Sequence, residues 1–431
     1  MAMHRVGVFS GHLVPQAVAA KGASGYDSSW QPRLTAKPGQ TMGELGKKSP
    51  DDVVIVSALR TAQTKSKTGG FKDTFAEDIL APVLAAVCEK VGLDKKHVDD
   101  IVVGNVGGNG FAGSAPTKFL AGFPETVSTS TVNRQCSSGL SAIVNVASQI
   151  KTGVIDVGIA SGVEKLSAVP GSVPKGASQA KAAPGEKPKK VKRKFLDMPV
   201  AKDTLIPMGI TSENVSERYG ITREDQDRFG FESQRKAVIA QKQGFFLDEI
   251  VPVTTTVIKA DGSEESVNVD RDDGIRETSM EALAKLKPAF KKDGSTTAGS
   301  SSQVSDGAAA VLMMRRSVAE ELGMPVLAAI RAAALVGVPP DVMGIGPAFS
   351  VPEVIRKAGL TVDDIDIFEV NEAFASQAEY TVQKVGIPRE RLNPVGGAIA
   401  LGHPFGCTGC RQVATLLPQL KRTNGRYGIT A

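Results

Sequence analysis

Alternating strand and helix signals, a repeated strand motif and one long interruption predict an α/β fold of two similar halves, with a segment inserted into the first. From residue 51 onward, short apolar runs alternate with helix-period stretches, which is the pattern of βαβ units. The motif Asp99-Asp-Ile-Val-Val-Gly-Asn-Val106 returns as Asp363-Asp-Ile-Asp-Ile-Phe-Glu-Val370, each copy followed by a Gly- or Asn-containing turn, so the halves read as a duplication. Between residues 168 and 294 the alternation stops. That stretch contains its own helix-forming sequence, Arg223 to Gln243, and reads as a subdomain, since structureless loops of this length are rare inside compact domains.

Residues 1–50 read as a presequence and linker, ending in Gly39-Gln-Thr-Met-Gly43 and Lys47-Lys-Ser-Pro50. Arg5, Val6, Phe9, His12 and Leu13 fall on helical spacing, but Gly7, Ser10, Gly11 and His12 break the apolar run that a secretory signal needs. Arg5-Val6, five residues, then His12-Leu13 instead resembles the N-terminal type of peroxisomal targeting signal. The first half has strand signals at Val53–Ala58, Ile101–Val106, Thr129–Val132, Val154–Ala160 and, after the insertion, Gly307–Met314, followed by a helical Ser317–Leu322. The second half has a strand signal at Val326–Val336, a helix around Pro352–Ala358, a strand at Ile365–Val370, helices from Ala373 and from about Thr408, and a strand at Tyr427–Thr430. The expected units are residues 51–167 plus 295–317, the insertion 168–294, and 318–431.

Composition narrows the function classes. The chain has 431 residues, 41% hydrophobic and 23% charged, which suits a globular protein with a large core. The longest stretch free of charged and polar residues, Ile79–Cys88, is interrupted by Pro82 and is far shorter than the ~18 residues of a membrane span. The net charge of +5 comes from one run, Lys187-Pro-Lys-Lys-Val-Lys-Arg-Lys194, so the rest is near neutral and no nucleic-acid partner is expected. That run lies in a Gly-, Ala-, Pro-, Ser- and Lys-rich neighbourhood and reads as a solvated insertion, with a polyanion-docking patch as the alternative. Four scattered cysteines make no disulfide framework.

The sharpest chemical signal is Val132-Asn-Arg-Gln-Cys136-Ser-Ser-Gly-Leu140. A strand ends, Cys136 occupies the turn, and a helix follows whose unpaired N–H groups favour thiolate, as a nucleophile requires. The alternative is a small buried hydrophobe. His403, one of four histidines, lies in the glycine-rich Asn393-Pro-Val-Gly-Gly-Ala-Ile-Ala-Leu-Gly-His-Pro-Phe-Gly-Cys-Thr-Gly409, where backbone can approach a ligand closely, and is a candidate base or oxyanion donor. Asn371, in Val370-Asn-Glu-Ala-Phe374, could hold a water or a carbonyl oxygen; Asn371 and Glu372 could equally be helix caps.

Together these motifs resemble the thiolase family, which makes or breaks carbon–carbon bonds in acyl-CoA thioesters. The resemblance spans residue 51 onward, and Leu205–Asn214 and Lys287–Gly299 are most similar to its peroxisomal 3-ketoacyl-CoA branch. It implies a five-layer αβαβα architecture of duplicated βαβαβαββ domains, a homodimer or homotetramer, and peroxisomal fatty acid β-oxidation after delivery by an import receptor. It also implies that Cys136, its proton taken by His403, attacks the 3-keto carbon; acetyl-CoA leaves as an enolate, and CoA releases the shortened acyl chain by thiolysis. His403 and a water on Asn371 would stabilise the enolate oxygen. CoA enters as co-substrate, with no bound cofactor or metal, and the positions matching the family's contacts to it are Arg276, Ser302 and Phe374. Ser300 stands where the family usually has Asn.

One expected motif does not occur by Ala431: a Cys-x-Gly turn whose cysteine protonates the enolate and activates CoA, and whose glycine N–H completes a second oxyanion hole. The second copy therefore reads as truncated at its last strands. A catalytically impaired homologue that binds CoA or dimerises without turnover is one alternative, and an acetoacetyl-CoA thiolase working in the synthetic direction is another. Cys410 is a candidate substitute acid. Cys407-Thr-Gly-Cys410, with His403, is also a candidate redox or metal pair, although it lacks a fourth ligand.

Overall fold

The computed structural model describes residues 30–32, 41–107, 114–167 and 194–431. The Arg5–Leu13 signal and all of the basic run except Lys194 lie outside the described residues. The first sheet contains β1 (Val53–Arg60), β2 (Asp100–Gly104), β3 (Ser128–Val132), β4 (Val157–Glu164), β5 (Ser305–Arg315) and β6 (Ala328–Ala329), in the order β3-β2-β4-β5-β1-β6. β2 runs parallel to β3 and β4, and β5 lies antiparallel between β4 and β1.

β5 is apolar throughout because both its faces are covered, the situation that yields a continuous hydrophobic run. Ala308, Ala310, Leu312 and Met314 face one core with Ile79, Leu80, Val83 and Leu84 of α1 (Ala76–Glu89). Ala309, Val311 and Met313 face the opposite core with Ile143, Val146 and Ile150 of α2 (Ser138–Thr152). The alternation of β1 and β2 follows the same two faces: Val54 and Ile101 to the first, Val53 and Val102 to the second.

Beyond α2 lies a second sheet, the parallel pair β7 (Ile367–Glu369) and β8 (Gly428–Thr430). Phe368 also bridges Leu392 on its other side, so the order Leu392, β7, β8 repeats the order β3, β2, β4. β2 and β7 are each entered from a single 3-10 turn, Lys95–His97 and Val362–Asp364. Helices α4 (Pro347–Ala358) and α5 (Ala375–Val385) cover the outer face of this sheet through Val351, Ile355, Ala378 and Val382. Helix α6 (Thr408–Arg422) shares the inner core with α2 through Cys407, Cys410 and Val413. The layers are thus α1, the first sheet, α2 with α6, the second sheet, and α4 with α5. The insertion includes α3 (Arg223–Lys242), entered through a Thr222/Asp225 capping box, and a hairpin of Val253–Ile258 with Glu264–Val269.

Three element expectations change. β4 starts at Val157, not Val154: Gly153, at φ 76°, ends α2 in the left-handed conformation and leaves Val154 exposed on the turn. The stretch Val326–Val336 pairs only at Ala328–Ala329, where it docks on the outer edge of β1; a strand needs a neighbour's free N–H and C=O groups as well as β-branched side chains. The helix expected at Pro352 begins at Pro347, and its apolar spacing runs through Pro352. Among the described residues no helix is long and apolar enough to cross a membrane.

Candidate active site

Two turns, the one carrying His403 rich in glycine, meet where the two halves face each other. The chain leaves β3 through an Asn133 side chain that accepts from Gln135 N (3.0 Å), and Gln135 takes φ 49°. Ser138 ties the turn to the helix: its Oγ accepts from Arg134 N and donates to Gln135 O. Cys136 is therefore held, half-buried, just ahead of the first turn of α2. The turn carrying His403 packs directly on this helix start. An added Cβ on Gly139 would lie 2.9 Å from Gly406 O, Gly409 N and Cys410 N, and one on Gly162 would lie 2.0 Å from Gly406 O. Contact this close between backbones requires glycine. Glu164, at the end of β4, locks the same junction by accepting from Val106 N (3.1 Å), Gly107 N (2.7 Å) and Gly406 N (2.9 Å).

His403 is buried, its backbone N–H donating to Gln303 O (3.1 Å). Its Nδ1 lies 2.6 Å from Thr408 Oγ1 and its Nε2 lies 3.4 Å from Asn371 Nδ2. Burial, and then the positive charge of Arg411, push its pKa down to about 3, so the imidazole is neutral at physiological pH.

Asn371 follows β7 and is held from both sides. Asn393, buried at φ 39°, accepts from Val370 N and donates to Val370 O (both 2.9 Å) as a strand neighbour would, and it donates to Glu372 Oε1 (2.6 Å). Glu372 also accepts from Ser233 Oγ of α3 (2.6 Å) and from Ile399 N (3.2 Å). Neither Asn371 nor Glu372 caps α5, whose N-cap is Phe374. Asn371 Oδ1 is buried without a hydrogen-bond partner among the described residues, the situation a bound water resolves. Cys136, Asn371 and Thr408 line one cavity of about 1950 Å³.

The thiolate expectation for Cys136 is corrected. Burial, and then the charge of Glu164, push the thiol up to about 11, outweighing its own backbone N–H, so Cys136 is protonated at rest. The roles suggested for Cys407 and Cys410 are corrected as well. Both are buried in the apolar inner core, and burial raises Cys407 to about 12 and Cys410 well above the ordinary thiol value. Cys410 Sγ donates to Gly139 O (3.5 Å) and faces packing, so it is no substitute acid; thiols held protonated this way suit neither redox nor metal chemistry.

Of the positions matched to CoA contacts, Ser302 and Phe374 adjoin Asn371: Ser302 N donates to Ala373 O (3.0 Å), and Ser301 bridges Phe374, whose ring meets Phe290 edge-on. Arg276 is exposed; its Nη1 and Gln303 Nε2 both donate to Gly274 O (3.4 Å). Sequence reasoning singled out neither Asn393, Glu164 nor Thr408 as a functional residue. Only Thr408 left a signal, a hydroxyl opening the helix after the glycine-rich turn.

The family model described as thiolase, N-terminal domain matches residues 53–317, and that described as thiolase, C-terminal domain matches residues 324–431. Human peroxisomal 3-ketoacyl-CoA thiolase is 52% identical over 433 residues, covering 100% of this chain and 96% of the relative. The crystal structure of the dimeric peroxisomal thiolase of Saccharomyces cerevisiae is similar with a TM-score of 0.76 and 42% identity, covering 87% of this chain and 92% of that one. A second structure of the peroxisomal 3-ketoacyl-CoA thiolase of S. cerevisiae, described as five-layered and built from two core domains of identical topology, is similar with a TM-score of 0.68 and 39% identity, covering 87% and 93%.

Proposed function

The chain belongs to the thiolase family, and from that premise we propose that it cleaves 3-ketoacyl-CoA with CoA, releasing acetyl-CoA and a shortened acyl-CoA in peroxisomal fatty acid β-oxidation. The observation that carries this reading is a neutral imidazole in hydrogen-bond contact with Asn371, which lines the same cavity as a protonated, turn-held thiol.

In this reading His403 takes the Cys136 proton as sulfur bonds to the 3-keto carbon. The bond between C2 and C3 then breaks, its electron pair leaves with the acetyl-CoA enolate, and Cys136 retains the acyl group as a thioester. Protonated at Nε2, His403 becomes a donor toward the enolate oxygen, alongside a water on Asn371. CoA is the co-substrate, and Arg276, Ser302 and Phe374 are the proposed contacts to it. The names of the relatives support peroxisomal localisation, to which an import receptor acting on Arg5–Leu13 would lead. The dimeric yeast structure supports assembly as a homodimer. We assign CoA binding to the inserted segment, residues 168–294, between two thiolase domains, 51–167 with 295–317 and 318–431.

Incubation with a 3-ketoacyl-CoA is expected to place an acyl thioester on Cys136, read by intact mass and peptide mapping, that is absent from Cys136→Ser and removed by added CoA. Folded protein that acquires no adduct would overturn the proposal.

A further inference from the structure

We propose that Thr408 selects the His403 tautomer able to act as a base, which makes it a positioning residue for acylation of Cys136; this rests on His403 being that base. Thr408 is the first residue of α6, and its side chain is buried. Its Oγ1 has two neighbours: Pro404 O at 3.1 Å and His403 Nδ1 at 2.6 Å. A hydroxyl has one proton to give, and a carbonyl oxygen can only accept. Pro404 O also accepts from Cys407 N (2.9 Å) and Thr408 N (3.0 Å); with the Thr408 hydroxyl donating to it as well, Oγ1 is left to accept from His403 Nδ1. With Nδ1 protonated, the lone pair of the neutral ring sits on Nε2.

The other edge of the ring fits the same tautomer. Nε2 faces Asn371 Nδ2 at 3.4 Å, and with the amide turned this way, its Oδ1 left for a water, Nε2 is an acceptor. The imidazole is thus clamped between an acceptor at Nδ1 and a donor at Nε2, and these two partners, Thr408 and Asn371, line the cavity that Cys136 also lines.

The choice of a hydroxyl has a consequence. A carboxylate at the same place would fix the tautomer and also stabilise the imidazolium. Thr408 fixes the tautomer without adding negative charge, while Arg411 nearby disfavours the imidazolium. A base of this kind holds a proton briefly and passes it on.

The first measurement needs no variant. The full chain contains four histidines, His4, His12, His97 and His403, so ¹⁵N-histidine NMR at neutral pH, assigned by His403→Ala, reads both ring nitrogens of His403. A protonated Nδ1 and an unprotonated Nε2 are expected; the reverse tautomer, or a mixture, overturns the inference. Thr408→Val keeps the volume and removes the hydroxyl. It should shift the spectrum toward Nε2–H and slow acylation of Cys136 by about 10²-fold or more, because a wrong tautomer leaves no base facing the thiol. The substrate concentration for half-maximal rate should stay within about threefold, and Thr408→Ser should restore most of the rate. Thr408→Val acylated at the wild-type rate, with His403→Ala slow, overturns the role of Thr408 alone. A fast His403→Ala overturns instead the assignment of His403 as base. If Thr408→Val fails to fold, the wild-type spectrum decides.

Discussion

At the scale of single residues, the candidate site holds two neutral groups, not a preformed ion pair. Cys136 is pushed up to about 11 and His403 down to about 3, so thiol and imidazole coexist between those limits. The sign follows directly. Between those limits the free-thiolate fraction rises about tenfold per pH unit while proton removal by neutral His403 is independent of pH, so alkylation of Cys136 by iodoacetamide should climb less steeply with pH in the wild type than in a variant without the imidazole. In His403→Asn the thiol should behave as an unassisted one, its alkylation rising about tenfold per pH unit, measured by mass spectrometry. A tenfold-per-unit slope in the wild type would show that His403 takes no proton. The candidate residues Cys136, His403 and Asn371 stood out in the sequence because each sits in a short motif with unusual glycine or polar content. Asn393 and Glu164 did not, since they work by reaching residues that only the fold makes neighbours; Glu164, for example, ends a strand like any other and then meets Gly406.

At the scale of elements, glycine marks the places where two backbones touch. Gly162 on β4 has Gly406 O where its Cβ would be, whereas Gly337 has open space. Gly162→Ala should therefore cost about 1–3 kcal/mol in chemical denaturation and slow Cys136 acylation about tenfold, by pushing the His403 turn off the start of α2. Gly337→Ala should be neutral within about 0.5 kcal/mol. Equal effects would mean that the close approach is not what matters. Strand positions in the first sheet could be read from the sequence because burial on two faces writes a continuous apolar run, as at Gly307–Met314. Val326–Val336 carries the same signal and forms only a two-residue strand, because apolar character says nothing about where a hydrogen-bonding partner is.

At the scale of the molecule, one buried cation fastens the inserted segment to the rest. Arg60, at the end of β1, donates from Nε to Glu249 (2.6 Å) and from both Nη atoms to Asp272 (2.7 and 2.9 Å); both carboxylates belong to the segment between β4 and β5. Thr415 of α6 donates to the same Glu249 oxygen (3.0 Å), and Gln63 N to Asp272 (2.7 Å), so the first sheet, the inserted segment and α6 meet at one network. Arg60→Met keeps much of the volume but leaves two carboxylates buried without their cation, which should cost about 3–5 kcal/mol of unfolding free energy in urea titration. A loss below about 1 kcal/mol would show that water reaches the network.

What the sequence determined by itself is the α/β class, the duplication, and the motif positions of Cys136, Asn371 and His403, because periodicity and local turn chemistry are short-range properties of the chain. What only the tertiary structure decided is protonation and orientation. Burial beside Glu164 keeps Cys136 a thiol, burial beside Arg411 keeps His403 neutral, and Thr408 and Asn371 stand at its two ring nitrogens. Each of these depends on desolvation and on groups brought together from remote parts of the chain, which sequence spacing does not record.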